Sequence, residues 1–227
     1  MVLEPKVAEA NHLRWEIGGV VLDAEKHAVG WRLKITGELD TVHLTDKPRV
    51  IAQLGETDAV AHLANPLSLG AQQSLTFWLG WPLSLAIYSG DSRIHTLRPG
   101  GRRTLLGTQE EGQVLPASRC EVLDSPPTGP PWVAGLRVIA ENIGDTAATL
   151  RRCPVSEGSL SAYLLAGRVI AGTMRIRIVD ADRAEAQRIS FPAPAGATPM
   201  PRTGEGDGPG RFQWLLDSGR RGAEFQL

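Results

Sequence analysis

The segment "IYSGDSRI" puts Gly90, Asp91 and Ser92 directly after an apolar run, and a Gly-Asp-Ser block is one way to present a serine nucleophile. A serine hydroxyl attacks only when a histidine base lies within hydrogen-bond reach and a carboxylate orients that base. The five histidines are His12, His27, His43, His62 and His95, and none follows residue 95. A Gly-Asp turn closed by a polar serine explains the block without chemistry. Glu38, Asp40, His43 and Asp46 crowd "GELDTVHLTD", yet their spacing fits no hard-ion loop of the EF-hand kind, so a solvated connection between strands is expected. The glycines of "GEGDGPG" have no preceding strand, no following helix and no Gly-Lys-Ser/Thr to make a phosphate cradle. Cys120 and Cys153 have Arg119, Arg151 and Arg152 beside them, which lowers a thiol pKa when the thiol is exposed, but neither cysteine has a base or resolving partner in sequence. Buried core thiols are the expectation. No catalytic residue, metal ligand or cofactor site is assigned, and the chain is read as a non-enzyme.

Composition narrows the partners. Charged residues make up 22% of 227, with formal net charge −1, a balance that offers no general attraction to nucleic acid. Arg93, Arg98, Arg102 and Arg103 flank the "RPGG" turn, too few basic groups on a net-acidic chain for a phosphate-backbone interface. Two cysteines without Cys-x-x-Cys spacing argue against zinc or a disulfide framework, and "MVLEPKVAEANHLRWEIGG" lacks a signal-peptide pattern. A reducing, cytoplasmic setting is the default expectation.

The elements that must carry these residues are strands. In "SLTFWLGWPLSLAIYSG", beginning at Ser74, the apolar run from Leu75 to Tyr88 is about fourteen residues, short of the roughly twenty a membrane helix needs. Gly80 and Pro82 rule out a buried helix through its middle. Two short strands, "LTFWL" and "PLSLAIY" with "GWP" as a bend, satisfy the pattern. Trp31, Leu33 and Ile35 alternate with Arg32, Lys34 and Thr36, and Met174, Ile176 and Ile178 with Arg175, Arg177 and Val179, the period of half-buried strands. "RVIAQL", "GQVLPA", "WVAGLRVIAEN" and "GRVIAGT" add shorter runs, and "GSLSAYLLAGRV" reads as helix or strand. The fold expected is all-β, an antiparallel β-sandwich, as two packed β units or one continuous sandwich. The proline-rich "DSPPTGPP" would divide residues 1–124 from 132–192, with a Gly/Pro-rich linker at 193–211 and a short apolar C-terminal docking segment at 212–227.

The succession "NPLSLGAQQSLTFWLGWPLSLAIYSGDSRIHTLRPGGRRTLLGT", "GQVLPASRCEVL" and "GLRVIAENIGDTAATLRRCPV" resembles, over residues 60–190, the mostly prokaryotic family catalogued as domain of unknown function four hundred and thirty-two. The shared order is an Asn-Pro opening, an apolar strand, a Pro-led strand ending in a glycine turn, and later a strand ending in Asn. The family's Lys-Tyr-x-Leu-Tyr-Gly step is "RRTLLG" here, without its tyrosines. The resemblance implies a neighbour of small-conductance-type mechanosensitive channels, hence an accessory protein at a membrane channel with no transmembrane segment of its own.

The function expected is therefore partner binding, at the cytoplasmic face of such a channel. Interface hot spots favour tryptophan and arginine, which selects Trp78, Trp81, Arg102, Arg103, Phe212 and Trp214 as anchors. A carbohydrate- or small-ligand-binding sandwich, with exposed tryptophans in one row, is the alternative, and a hydrolase using Ser92 a third reading.

Overall fold

Alternating apolar residues pin most of this chain to strands. A computed structural model describes residues 1–36, 41–106, 113–180, 183–189, 193–200 and 211–215. The chain starts with β1 (Val2–Leu3), β2 (Val7–Ala8), β3 (His12–Ile17), β4 (Val20–His27), β5 (Gly30–Ile35), β6 (Thr41–Leu44) and β7 (Pro48–Gln53). It then runs through β8 (Asp58–Leu69) and β9 (Ser74–Pro82), followed by β10 (Ser84–Ser89) and β11 (Ser92–Leu97). β12 (Arg102–Leu106), β13 (Gln113–Cys120), β14 (Val122–Leu123), β15 (Val133–Asn142) and β16 (Ala148–Ser156) come next. A 3-10 turn at Glu157–Ser159 precedes β17 (Ala162–Leu165), β18 (Arg168–Ile178), β19 (Arg183–Ile189), β20 (Thr198–Pro199) and β21 (Arg211–Leu215). The fold is all-β, and among the described residues no helix is long and apolar enough to cross a membrane.

Two compact units form, and their boundaries differ from the expected division. One comprises Met1–Gln53 with Leu83–Gly100, the other Leu54–Pro82 with Gly101–Leu227. The "DSPPTGPP" run lies inside the second unit, because β14 before it and β15 after it both pair with β9. Nor is "GWP" a bend. Gly80, Trp81 and Pro82 continue β9, and the chain changes sheet at Leu83. Pro82 is tolerated because it is the last residue of the strand, where a missing N–H costs least.

In the first unit, a meander ordered β2-β3-β4-β5-β6 accompanies a sheet ordered β1-β7-β10-β11. Leu13, Trp15, Ile17, Leu22, Ala24, Trp31, Leu33 and Ile35 are buried, as the period of two requires. Trp15 Nε1 donates to Leu3 O at 3.0 Å, satisfying a buried indole N–H. The other meander face is polar, with His12 on Asp23 at 2.7 Å, Arg14 on Asp23 at 3.6 Å and on Glu16 at 3.2 Å, and Lys6 on Glu16. Such exposed pairs contribute little to stability.

The second unit has a sheet ordered β12-β13-β8-β16 and a larger one ordered β14-β9-β15-β18-β17-β20, with β19 on β18 and β21 on β19. Both are mainly antiparallel, as expected, and each contains one parallel pair. β13 runs parallel to β8, and β15 parallel to β18. The second parallel pair arises because the chain crosses to the four-stranded sheet as β16 before returning to make β17 and β18. "GSLSAYLLAGRV" is strand at Ala162–Leu165, and "GRVIAGT" and "MRIRI" are one strand, β18. Residues 193–200 are not free linker, since Leu164 pairs with Thr198 and Tyr163 with Pro199.

Candidate partner-binding surface

Each predicted anchor can now be placed on its element. Along β9, Phe77, Leu79 and Trp81 point to the core, and Trp81 is 0% exposed. Its indole N–H donates to Glu157 Oε1, a carboxylate only 1% exposed in the 3-10 turn. Trp81 is therefore not a partner anchor, as the sequence suggested; it sits on the inward parity of a central strand and has a buried polar partner. Glu157 is a residue that periodicity did not reveal.

Trp78, of opposite parity, is half-buried. It lies beside Gly135, where an added Cβ would stand 2.9 Å from Pro127 Cδ and 3.4 Å from Trp78 Cε3. The proline-rich run thus packs down onto this outer sheet face, and glycine is needed for the close approach. Trp15, Trp31 and Trp81 are buried and Trp78 and Trp132 half-buried, so the described tryptophans present no row of open ring faces for stacking sugars.

Arg102 and Arg103 are exposed, and they lie on β12 rather than at a hairpin tip, because β11 and β12 belong to different sheets. β12 is an edge strand, with Arg102 opposite Ala117 and Arg103 opposite Pro116. Arg119 on β13 and Arg151 on β16, the other edge, are exposed too, while Arg152 is buried and donates to Leu105 O at 3.2 Å. The four strands of this sheet carry five arginines against one carboxylate, Asp58, a formal balance of +4 (five minus one). Asp58 is engaged, accepting the Ser156 hydroxyl at 2.6 Å. Four of these arginines are exposed, with Arg102 and Arg119 on one face of the sheet and Arg103 on the other.

Phe212 and Trp214 are in β21, whose backbone pairs with β19 so that Phe212 stands opposite Ala186 and Trp214 opposite Ala184. The expected docking segment thus pairs with its own sheet over Arg211–Leu215; residues 216–227 lie outside the described residues.

The remaining sequence candidates resolve locally. Gly90 and Asp91 form the two-residue turn of the β10–β11 hairpin, with Ser89 opposite Ser92 and Gly90 at φ +57°, a Gly-first hairpin turn rather than a nucleophile elbow. Arg49 Nη2 donates to Gly90 O at 2.5 Å, and the Asp46 N–H donates to Ser89 Oγ at 3.0 Å. Of the proposed metal cluster, Glu38 and Asp40 lie outside the described residues, His43 is on β6, and Asp46 belongs to this turn.

Cys120 and Cys153 are both buried free thiols. Burial pushes the Cys153 thiol far up, and Cys120 beside it adds to the shift, the reverse of what neighbouring arginines would do to an exposed thiol. Cys120 is opposite Leu63 and Cys153 opposite Ala61, on either side of β8 and two residues apart along it, so their Cα atoms are about 12 Å apart by strand geometry, beyond disulfide reach. Ellman's reagent at pH 8 should find no reactive thiol in the folded chain and both after unfolding in guanidinium; rapid native labelling would contradict the burial.

The fold and these surfaces define an all-β protein of two units, one of which displays an arginine-bearing sheet. No family model, curated protein or solved structure matches this chain.

Proposed function

We propose that the chain is a non-enzymatic accessory protein that binds an acidic surface of a partner protein along the β12 edge of its four-stranded sheet, with Arg102 and Arg103 as its leading contacts. The partner proposed is the cytoplasmic face of a small-conductance-type mechanosensitive channel. The observation that carries the reading is the exposure of Arg102, Arg103, Arg119 and Arg151 on a sheet whose one strand carboxylate is already hydrogen-bonded. Planar guanidinium groups make bidentate contacts with carboxylates, and complementary charge speeds and orients encounter. The motif order from Asn65-Pro66 to Asn142, with its family resemblance, supports the choice of partner.

Charged side chains on edge strands also keep sheets from pairing with one another, so the test must separate the two roles. The double change Arg102→Glu, Arg103→Glu keeps the edge charged and inverts its complementarity. Full-length tagged protein carrying it should lose capture of the solubilised channel by about tenfold or more, since like charges facing across an interface cost over 1.4 kcal/mol. Thermal unfolding should stay where it is, because such surface changes are worth within about 0.5 kcal/mol. Capture equal to wild type would contradict the assignment.

A further inference from the structure

The inner face of the large sheet in the second unit has a size pattern that runs across its strands. One row reads Ala140, Ile176, Ala186 and then position 212, a phenylalanine; the next reads Ile178, Ala184 and then position 214, a tryptophan. Ala140, Ile176 and Ala184 are 0% exposed and Ala186 4%. Large and small residues alternating across a sheet suit a densely packed core, and the register sets positions 212 and 214 opposite the alanines of β19. Among the described residues β21 pairs with β19 alone, whereas β19 is held independently by β18 over Thr173–Ile178. Between β20 and β21 the sequence Pro201–Gly210 is "PRTGEGDGPG", of tether composition. A strand held along one edge only belongs to the least stable part of a fold.

We propose that the β19 edge is a strand-addition site for extended peptides carrying bulky apolar side chains at alternate positions, and that residues 211–215 occupy it in cis. Main-chain pairing with β19 supplies binding that is indifferent to sequence, and the Ala184 and Ala186 positions select the side chains. Partner access is then controlled by competition with the chain's own strand, whose tether gives it a millimolar-range effective concentration. This site is distinct from the arginine-bearing sheet and stands whether or not that sheet binds a channel.

The test uses the full chain with a specific protease site inserted between Gly206 and Asp207, cleaved after folding. The probe is a fluorescently labelled peptide of residues 211–217, Arg-Phe-Gln-Trp-Leu-Leu-Asp, followed by anisotropy and size-exclusion mass measurement. The cleaved protein should take up the peptide and release its own fragment, and the intact protein should bind it at least about a hundredfold more weakly. A peptide carrying Phe212→Ser and Trp214→Ser should not bind. Binding to neither form, equal binding to both, or uptake of the serine peptide would overturn the site. Loss of the cooperative thermal transition on cleavage would overturn exchangeability by showing the strand to be integral. A doubling of mass in the intact chain would overturn cis occupancy in favour of strand exchange between two copies.

Discussion

Trp81→Ala should destabilise the second unit by about 3–5 kcal/mol, the usual cost of emptying a buried tryptophan site. Trp81 is fully buried, and its loss does two things at once. It opens a cavity between sheets, and it strips a donor from Glu157, a carboxylate with almost no solvent to replace it. Trp81→Phe separates these effects, keeping most of the volume while removing the N–H; it should cost about 1.5–3 kcal/mol, the net worth of a hydrogen bond to a charged group. Adding Glu157→Gln to Trp81→Phe should recover part of that loss, because a buried neutral amide loses less than a carboxylate when one donor is removed. Urea titration of each variant reads the numbers directly. A Trp81→Ala protein as stable as wild type, but with weakened partner capture, would return this residue to the surface role its composition first suggested.

The second large effect is expected at Asn142. Its side chain is 1% exposed and makes four hydrogen bonds. Nδ2 donates to Leu69 O at 3.1 Å, Gly70 O at 2.9 Å and Thr146 O at 2.8 Å, and Oδ1 accepts from the Gly144 N–H at 3.1 Å. One residue thereby ties the β8–β9 connection to the β15–β16 connection, with Gln72 Nε2 adding a bond to Ile143 O at 2.9 Å. Asn142→Ala leaves several buried carbonyls unmet and should cost about 3–4 kcal/mol, the sum of a few net bonds and their desolvation. Asn142→Asp should be no better, because it retains the acceptor for Gly144 but turns donor contacts into facing oxygens. Hydrogen exchange should show protection lost first at Gln73 and Gly144, whose amides are tied here. Loss spread evenly over the second unit would mean that Asn142 acts through global stability alone.

The strands were readable where one face is wet and the other dry. Trp31, Leu33 and Ile35 are buried with Arg32, Lys34 and Thr36 exposed, and Met174, Ile176 and Ile178 are buried beside exposed Arg177, because period two survives in such strands. The unit boundaries were not readable. The chain crosses between units at Gln53/Leu54, Pro82/Leu83 and Gly100/Gly101; the first carries no turn residue and the second falls at a proline that ends a strand, while the most conspicuous proline run packs onto a sheet face at Gly135. Proline marked a place where pairing stops, which is not the same as a place where a unit ends.

The site was legible in part. Arginine type and spacing singled out Arg102 and Arg103, and both are exposed on an edge strand; aromatic type singled out Trp81, which burial parity removes. Glu157 gave no local signal, since its partner is 76 residues away in sequence. The β19–β21 pairing had one: alanines at 184 and 186 against Phe212 and Trp214, two period-two patterns of opposite size separated by a linker.

The measurement that tests the central claim most directly is site-specific photo-crosslinking in the host cell, with a photoreactive amino acid at position 102 or 103 of the full-length chain. The account predicts one discrete adduct with an integral membrane channel subunit, mapping to an acidic cytoplasmic segment and absent when the same group is placed at the buried position 81. Adducts confined to the chain itself, or an adduct whose partner residues are basic or apolar, would contradict it.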